Sequence, residues 1–223
     1  MAGVAVAFDR LDVDAATLAA LTGILGADER ARAERYRFPR DRRRFVVRRA
    51  RLRQLLGGWT GRAPASLTFG ESRHGKPILA GGPPFSLSHS ADTMMLAIAD
   101  VEVGCDLERI DATLDWQPLA ETFFTTTERA ALAALPPAAA RRAFFTCWAR
   151  KEAFVKALGR GLSWPLDAFD VSVGSHSELV SGGEGWAIGE APGLPGFATA
   201  LVAHDDGRPL IVTPLEMGAR AAA

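Results

Sequence analysis

The sequence predicts a mixed fold of α+β (α/β) class, a pseudo-twofold duplication of two similar α/β halves. Each half is expected to be a small antiparallel sheet packed on a long helix. Short alternating apolar segments separate segments of helical periodicity. LRQLLG at 52–57 matches FVKALG at 154–159, and LAIAD at 96–100 resembles LVAHD at 201–205. We expect an N-terminal half over 1–105, a C-terminal half over 106–223, and a site at their junction.

Composition excludes several classes of protein. The 223 residues are 48% hydrophobic and 23% charged, which is ample for a buried core. Cys105 and Cys147 both lie in apolar stretches, so neither a disulfide framework nor a four-ligand zinc site is expected, and a cytoplasmic location fits. The first residues lack a basic region before their short apolar run, and no apolar run approaches the ~20 residues that span a bilayer. Neither secretion nor membrane insertion is expected.

The first half begins with an alternating strand pattern at Val4, Val6 and Phe8, followed by leucines at helical spacing over 14–25. An arginine-rich helix is expected next. Pro39 suits its first position, Asp41 can cap it, and Gly57-Gly58 ends it.

Charge is unevenly divided along this neutral chain. Residues 30–53 hold twelve arginines against Glu34 and Asp41, which leaves a balance of −10 for the rest of the chain. A basic patch of this kind predicts an anionic ligand. A solvated helix with extended arginine side chains is the alternative. A nucleic-acid surface is less favoured, because few aromatic residues interrupt the arginines and the acidic remainder repels phosphate.

Residues 85–90, FSLSHS, predict a strand with its hydroxyls on one face and His89 at the turn that follows. Hydroxyl, imidazole and backbone N–H groups at such a turn can hold a phosphate. The alternative is a hydrogen-bonded turn with a structural histidine.

Residues 101–109 predict a further strand in which Asp106 and Glu108 share a face. Side chains at i and i+2 of a strand lie ~6.5–7 Å apart, near enough to reach one ion. Two carboxylates without thiolate or imidazole favour magnesium or manganese over zinc. The alternative is a solvated polar strand edge.

Residues 148–161 predict a helix on which Glu152 and Lys156 lie one turn apart, ended by Gly159 and Gly161. A surface helix with a Glu–Lys pair worth ~0.2–0.5 kcal/mol is the alternative. Upstream, the threonines of 125–127 are expected to cap a helix from Glu128. Strands are expected in the last third, and the tail GARAAA is expected to be frayed.

Five ordered motifs resemble one family: GKP at 75–77, FSLSHS at 85–90, VGCDLE at 103–108, FFTTTE at 123–128 and WARKEAFVKALGRGL at 148–162. The sequence resembles the 4′-phosphopantetheinyl transferase superfamily over roughly residues 28–173. Its length and internal repeat are similar to the monomeric, two-half branch, the type that activates surfactin synthetase.

The resemblance implies Mg²⁺-dependent transfer of 4′-phosphopantetheine from coenzyme A to a serine of an apo carrier protein, acyl or peptidyl, with release of 3′,5′-ADP. It implies that Asp106, Glu108 and Glu152 hold Mg²⁺, with Mn²⁺ also possible. Glu152 would take or position the serine proton, and Lys156 would neutralise the departing bisphosphate.

The resemblance further implies a set of coenzyme A contacts: Arg44, Arg48, Lys76, Ser88, His89, Asp106 and Lys156. Phe123 and Phe124 match the region near the carrier docking surface and are equally compatible with a core position. The expected protein is a monomer with no nucleic-acid or membrane partner. The alternative function is an inactive carrier-protein or nucleotide-binding module of the same fold.

Overall fold

Six helices and eleven strands fill the part of the chain that the computed structural model describes, residues 2–161, 164–174, 176–191, 193–205 and 209–216. The helices are α1 Ala15–Thr22, α2 Ala27–Glu34, α3 Pro39–Thr60, α4 Gln117–Phe123, α5 Thr126–Ala133 and α6 Pro137–Leu158. The strands are β1 Gly3–Arg10, β2 Phe69–Glu71, β3 Pro77–Leu79, β4 Phe85–Ser90, β5 Thr93–Ala99, β6 Val103–Arg109, β7 Asp170–Val171, β8 Leu179–Ser181, β9 Trp186–Gly189, β10 Phe197–His204 and β11 Ile211–Pro214. The predicted mixed α and β class is confirmed.

Two larger sheets form the centre of the molecule. The first has the order β11-β1-β5-β4 and the second the order β6-β10-β9. The first sheet is mixed, because β11 runs parallel to β1 while the other pairs are antiparallel. A purely antiparallel first sheet was therefore the wrong expectation. By returning to the first sheet, β11 satisfies the backbone groups along one edge of β1.

Three apolar clusters place the two long helices on opposite sides of the sheets. α3 packs Phe45, Leu52 and Leu56 against one face of the first sheet, and α6 packs Phe154 and other residues against β10. The third cluster joins the remaining faces of the two sheets, and its members include Val4, Val6, Met95, Cys105, Leu107 and Leu201. The layers therefore follow the order helix, sheet, sheet, helix.

The long helices begin and end in the same way. Pro39 and Pro137 occupy first-turn positions, and Gly61 and Gly159 end the helices with φ angles of 69° and 63°. Each helix has 22 residues, and the matching ends are 98 residues apart. An end of α3 at Gly57-Gly58 was the wrong expectation. The helix continues to Thr60, where the left-handed conformation of Gly61 stops it.

Smaller expectations can be compared in the same way. Phe38, rather than Asp41, is the N-cap residue of α3. α5 begins at Thr126 with Thr125 as its cap, two residues before the expected start. Cys105 and Cys147 are buried free thiols, as expected.

No helix within the described residues is long and apolar enough to cross a membrane. Leu162, the last residue of the longest motif, and the tail at 218–223 lie outside the described residues.

Candidate active site

Three serines on β4 join the two sheets. Ser86 Oγ accepts a hydrogen bond from the Cys105 N–H at 3.0 Å. Ser90 Oγ donates to Glu108 Oε2 at 2.9 Å and accepts from the Arg109 N–H at 3.0 Å. The predicted hydroxyl face of β4 thus meets the predicted carboxylate face of β6.

Gly104 allows β6 to lie directly against α6. A Cβ atom at this position would be 1.9 Å from the Ala153 carbonyl oxygen and 2.4 Å from the Ala157 nitrogen. Only glycine fits such an approach without moving one of the backbones. This contact brings Asp106, two residues further along β6, against the side of α6 that carries Lys156.

Asp106 is the centre of the polar cluster. Its Oδ1 accepts hydrogen bonds from Ser88 Oγ at 2.7 Å and from Lys156 Nζ at 2.6 Å, and Lys156 Nζ also lies 3.0 Å from Ser88 Oγ. Asp106 Oδ2 is buried and has no hydrogen-bond partner among the described residues. Burial lowers the pKa of Lys156, but Asp106 together with Cys105 and Glu152 outweighs that effect, so the pKa is raised.

Burial, together with the charge of Asp106, also raises the pKa values of two further carboxylates. Burial and then the charge of Asp106 raise the pKa of Glu108 to about 7. The same two causes, in the same order, raise the pKa of Glu152, which is half-buried on α6. The structure therefore brings the three predicted acids from β6 and α6 into one electrostatic cluster.

The donor set suits a hard divalent cation. As the side chains lie, no three His, Cys, Asp or Glu residues in the described ranges are arranged as a metal site. The cluster nevertheless offers carboxylate oxygens alone, and the buried Asp106 Oδ2 is unpaired. Magnesium and manganese prefer such ligands, and a cation would relieve the repulsion that raises the pKa values of Glu108 and Glu152.

A cleft extends from this cluster along the first half of the chain. One recess of about 210 Å³ is lined by Lys76 and Lys156 together with Gly159. A second recess of about 480 Å³ is lined by Arg48 and His89, among others. The recesses share three lining residues and therefore adjoin, and the two together are called the cleft below. The shared residues are Gly75, Pro77 and Leu87.

His89 and Arg48 face the larger recess, as the sequence suggested for anion binding. Partial removal from water, and then the positive charges of Arg48, Lys156 and Arg44, lower the pKa of His89 to about 4. His89 is an exposed residue, so the repulsion by three cations is the firmer cause of its lowered pKa. Arg48 lies over the ring of Phe45, 5.8 Å from its centroid, and burial lowers the pKa of its guanidinium.

Arg44 and Lys76 are each held by an acid that sequence analysis did not single out. Arg44 forms a two-point ion pair with Asp12, at 2.7 Å and 2.6 Å. Lys76 Nζ lies 3.1 Å from Glu102 Oε2 and 3.0 Å from the Val103 carbonyl oxygen. Only the structure brings together acids and cations that are so distant in the chain.

The two phenylalanines of the FFTTTE motif separate. Phe124 is buried and stacks on Phe144, with ring centroids 5.3 Å apart. Phe123 is 37% exposed, and its ring meets Trp148 edge-on at 5.5 Å. Trp148 is half-buried and lies one helical turn before Glu152, so the exposed ring of Phe123 is carried by the same side of α6 as that acid.

Sequence reasoning also missed residues that support the site. Asp12 and Glu102 gave no signal, because their partners are distant in sequence. Gly104 did give one, since a glycine inside a strand often marks a close backbone approach.

Comparison with known proteins agrees with these observations. The family model described as the 4′-phosphopantetheinyl transferase superfamily matches residues 102–184, the segment that carries the three acids and Lys156. The chain is 39% identical over 159 residues to the 4′-phosphopantetheinyl transferase HetI of Nostoc sp., an alignment that covers 69% of this chain and 67% of HetI.

Two relatives from Bacillus are similar as well. A 4′-phosphopantetheinyl transferase of Bacillus subtilis is 32% identical over 66% of this chain and 66% of its own length. The 4′-phosphopantetheinyl transferase psf-1 of Bacillus pumilus is 35% identical over 69% of this chain and 66% of its own length. The alignments thus span about two thirds of each relative. With the motifs in the expected order and their acids in one cluster, the chain belongs to the 4′-phosphopantetheinyl transferase superfamily.

Proposed function

We propose that this protein transfers the 4′-phosphopantetheine arm of coenzyme A to a serine hydroxyl of an apo acyl or peptidyl carrier protein, with release of 3′,5′-ADP. The observation that carries the proposal is Asp106. It pairs with Lys156 through one oxygen, offers a second oxygen that has no partner in the described part of the chain, and lies beside two more acids near a recess lined by Lys76 and Lys156. An inactive module would be expected to lack one of these acids, and all three are present.

Asp106, Glu108 and Glu152 would hold Mg²⁺, with Mn²⁺ as an alternative. When bound, the ion supplies charge neutralisation at the pyrophosphate of coenzyme A. Glu108, whose pKa is about 7, has to be deprotonated to serve as a ligand, so loading is expected to release a proton.

Glu152 and Lys156 would serve the reacting groups directly. The raised pKa of Glu152 makes it a better acceptor for the proton of the attacking serine than an ordinary carboxylate. The ammonium of Lys156 is held at the opening of the smaller recess and would neutralise the charge that develops on the leaving bisphosphate. Their i,i+4 spacing on α6 fixes the distance between the two functions.

The cleft would hold coenzyme A by its phosphates. Lys76 and Lys156 line the recess nearest the acids, and Ser88 lies 3.0 Å from Lys156 Nζ, which suits the pyrophosphate. Arg48 and His89 line the other recess, and Arg44 is near enough to His89 to lower its pKa, which suits the 3′-phosphate of the adenosine. The oxygens of Asp106 would contribute through the shared ion.

The exposed ring of Phe123 would contact the carrier protein. It lies beside Trp148, one turn of α6 from Glu152, so a carrier seated there would bring its serine to the acids. Phe124 has no such role, because it is buried in the core.

The duplication belongs to the same proposal. Residues 1–105 and 106–223 would be two related halves, and their closely similar long helices support this view. The corresponding ends of those helices suggest an offset of 98 residues rather than the 102 residues of the LRQLLG and FVKALG match. With both halves in one chain, we expect a monomer. The free thiols of Cys105 and Cys147 suit a cytoplasmic location.

The proposal is tested by incubating the protein with coenzyme A, Mg²⁺ and a panel of apo carrier proteins, and by detecting the added arm by mass spectrometry. Asp106→Ala and Glu152→Ala are expected to abolish the conversion, while the control Glu184→Ala at an exposed site retains it. Folding of each variant is checked by circular dichroism. Conversion by either of the first two variants at the original rate would contradict the assigned roles.

A further inference from the structure

Two of the proposed coenzyme A contacts, Arg44 and Lys76, are each held by an acid in the same way. Arg44 binds Asp12 and Lys76 binds Glu102, and both acids come from segments outside the family motifs. In each pair the cation is the more buried partner: Arg44 is 22% exposed and Lys76 is 16% exposed, whereas Asp12 is 51% exposed and Glu102 is 61% exposed. The acids therefore approach their cations from the solvent side.

The Arg44 pair shows what the acid occupies. Nε and Nη2 donate to the two oxygens of Asp12, and Nη1 donates to the Ala91 carbonyl oxygen at 2.8 Å. A guanidinium has five N–H groups in a fixed plane, and its two-point edge matches a carboxylate and a phosphate equally well. Asp12 therefore occupies the edge of Arg44 that a phosphate group would use.

The Arg150–Glu190 pair of α6 shares this arrangement, at 0% and 47% exposure, whereas the Glu29–Arg53 pair is built differently. Glu29 binds Arg53 with both side chains almost fully buried, at 4% and 5% exposure, so neither partner can move into water without loss of packing. Ion pairs with one well-exposed partner are weak and readily exchanged. By this criterion the pairs of Asp12 and Glu102 can be displaced, and that of Glu29 cannot.

We propose that Asp12 and Glu102 are built-in competitors of the phosphate groups of coenzyme A, each holding a phosphate-binding cation that the substrate must take over. The inference rests on the proposed function and adds two residues that tune it. Because Arg44 lies towards the adenosine end, Asp12 competes with the 3′-phosphate. Because Lys76 shares the smaller recess with Lys156, Glu102 competes with the pyrophosphate.

The competition has a consequence for turnover. The product 3′,5′-ADP keeps the phosphate groups that bind Arg44, so a cleft of unopposed cations would retain it. An acid that returns to Arg44 as the phosphate departs weakens product binding, and product release is often the slow step of an enzyme. Asp12 thus lowers affinity for coenzyme A and for the product together.

The test is calorimetric titration at fixed ionic strength with coenzyme A and with 3′-dephospho-coenzyme A. Asp12→Asn is expected to tighten coenzyme A binding by about threefold to tenfold and to leave the dephospho compound within about twofold. Glu102→Gln is expected to tighten both ligands to a similar extent. Glu34→Gln is the matched control, since it removes an equal charge from an exposed arginine pair on α2 and α3 outside the cleft and should change neither affinity.

Each other outcome is decisive. If Asp12→Asn weakens coenzyme A binding or leaves it unchanged, Asp12 orients Arg44 or is irrelevant to it, and the competition is refuted. Equal tightening of both ligands by Asp12→Asn overturns the assignment of Asp12 to the 3′-phosphate. If the protein without substitutions binds neither ligand, the proposed function itself is contradicted. Product inhibition by 3′,5′-ADP provides a second readout and should become stronger in Asp12→Asn.

Discussion

The two long helices have equal lengths and matching ends, yet they differ in how deeply they bury their cationic side chains. α6 buries Arg150 and Lys151 completely and turns the next residue, Glu152, towards the acidic cluster. α3 also buries one cation, Arg53, against Glu29, but Arg44 and Arg48 stay half-exposed, and Arg44 pairs with the exposed Asp12. Buried cations hold neighbouring segments of the fold in place, whereas half-exposed cations remain able to bind a ligand.

One buried cation of α6, Lys151, uses all three of its N–H groups. Lys151 Nζ lies 2.7 Å from Glu128 Oε1 and donates to the carbonyl oxygens of Leu166 and Phe169, both at 2.7 Å. Glu128 in turn accepts from the N–H groups of Thr125 and Val171. This network fixes the start of α5 to the middle of α6, and so fixes the backbone that carries Glu152.

Among substitutions that test this difference between the helices, the largest effect on stability is expected for Lys151→Met. Removing one member of a buried ion pair leaves Glu128 charged and unpaired, so the free energy of unfolding should fall by roughly 3–5 kcal/mol. Denaturant titration measures it. Arg40→Met, an exposed change on α3, is the control and should cost less than about 0.5 kcal/mol.

The double variant Lys151→Met with Glu128→Leu tests the same buried ion pair without leaving an unpaired charge. It should be more stable than Lys151→Met alone, because replacing both partners removes the stranded carboxylate. If the single change costs no more than Arg40→Met, the distinction between the two helices fails.

A smaller effect, on activity alone, is expected for Lys156→Ala. Its ammonium would act on charge that grows during phosphoryl transfer, so kcat should fall by about 10²-fold while binding of coenzyme A weakens much less. Steady-state kinetics and titration of coenzyme A separate the two quantities. Equal losses in both would assign Lys156 a binding role only.

A weaker effect again should follow from Phe123→Ala. Loss of an exposed aromatic anchor should raise KM for the carrier by about fivefold to tenfold and leave kcat nearly unchanged. Phe124→Ala is the contrast, since truncating a buried phenylalanine should lower the free energy of unfolding by about 3–5 kcal/mol. An unaltered KM for the carrier in Phe123→Ala would place docking elsewhere.

The smallest effect concerns His89, which faces the cations of α3. With its pKa lowered to about 4, the ring should remain neutral until well below its ordinary value of 6.5. The unfolded chain then takes up the proton first, so the stability present above pH 6.5 should decline as the pH falls towards 4. NMR titration should show the low midpoint, and Arg48→Gln should raise it. A midpoint unmoved by Arg48→Gln would show that the arginine does not contribute.

Local patterns predicted much of the site. The alternation of Ser86 and Ser88, the pairing of Asp106 with Glu108, and the helical spacing of Glu152 and Lys156 are set by backbone period, which a sequence displays directly. The structure brings these segments together. Roles for the individual residues remain predictions.

Other parts of the site depend on the tertiary fold and had no local signal. The pairing of β11 with β1, and of Asp12 with Arg44, joins segments that nothing in their own sequence relates. The end of α3 was misplaced because two adjacent glycines imitate a stop that the left-handed Gly61 provides four residues later.

Gly104 sets the distance between β6 and α6, and that distance is sensitive to any side chain placed there. A side chain there would have to push β6 and α6 apart by more than 1 Å to reach ordinary van der Waals separation. Misplacement of about 1 Å between reacting groups can cost a hundredfold in rate. Substituting Gly104 by alanine would therefore lower the rate by about a hundredfold, although all the acids and bases would remain in the chain.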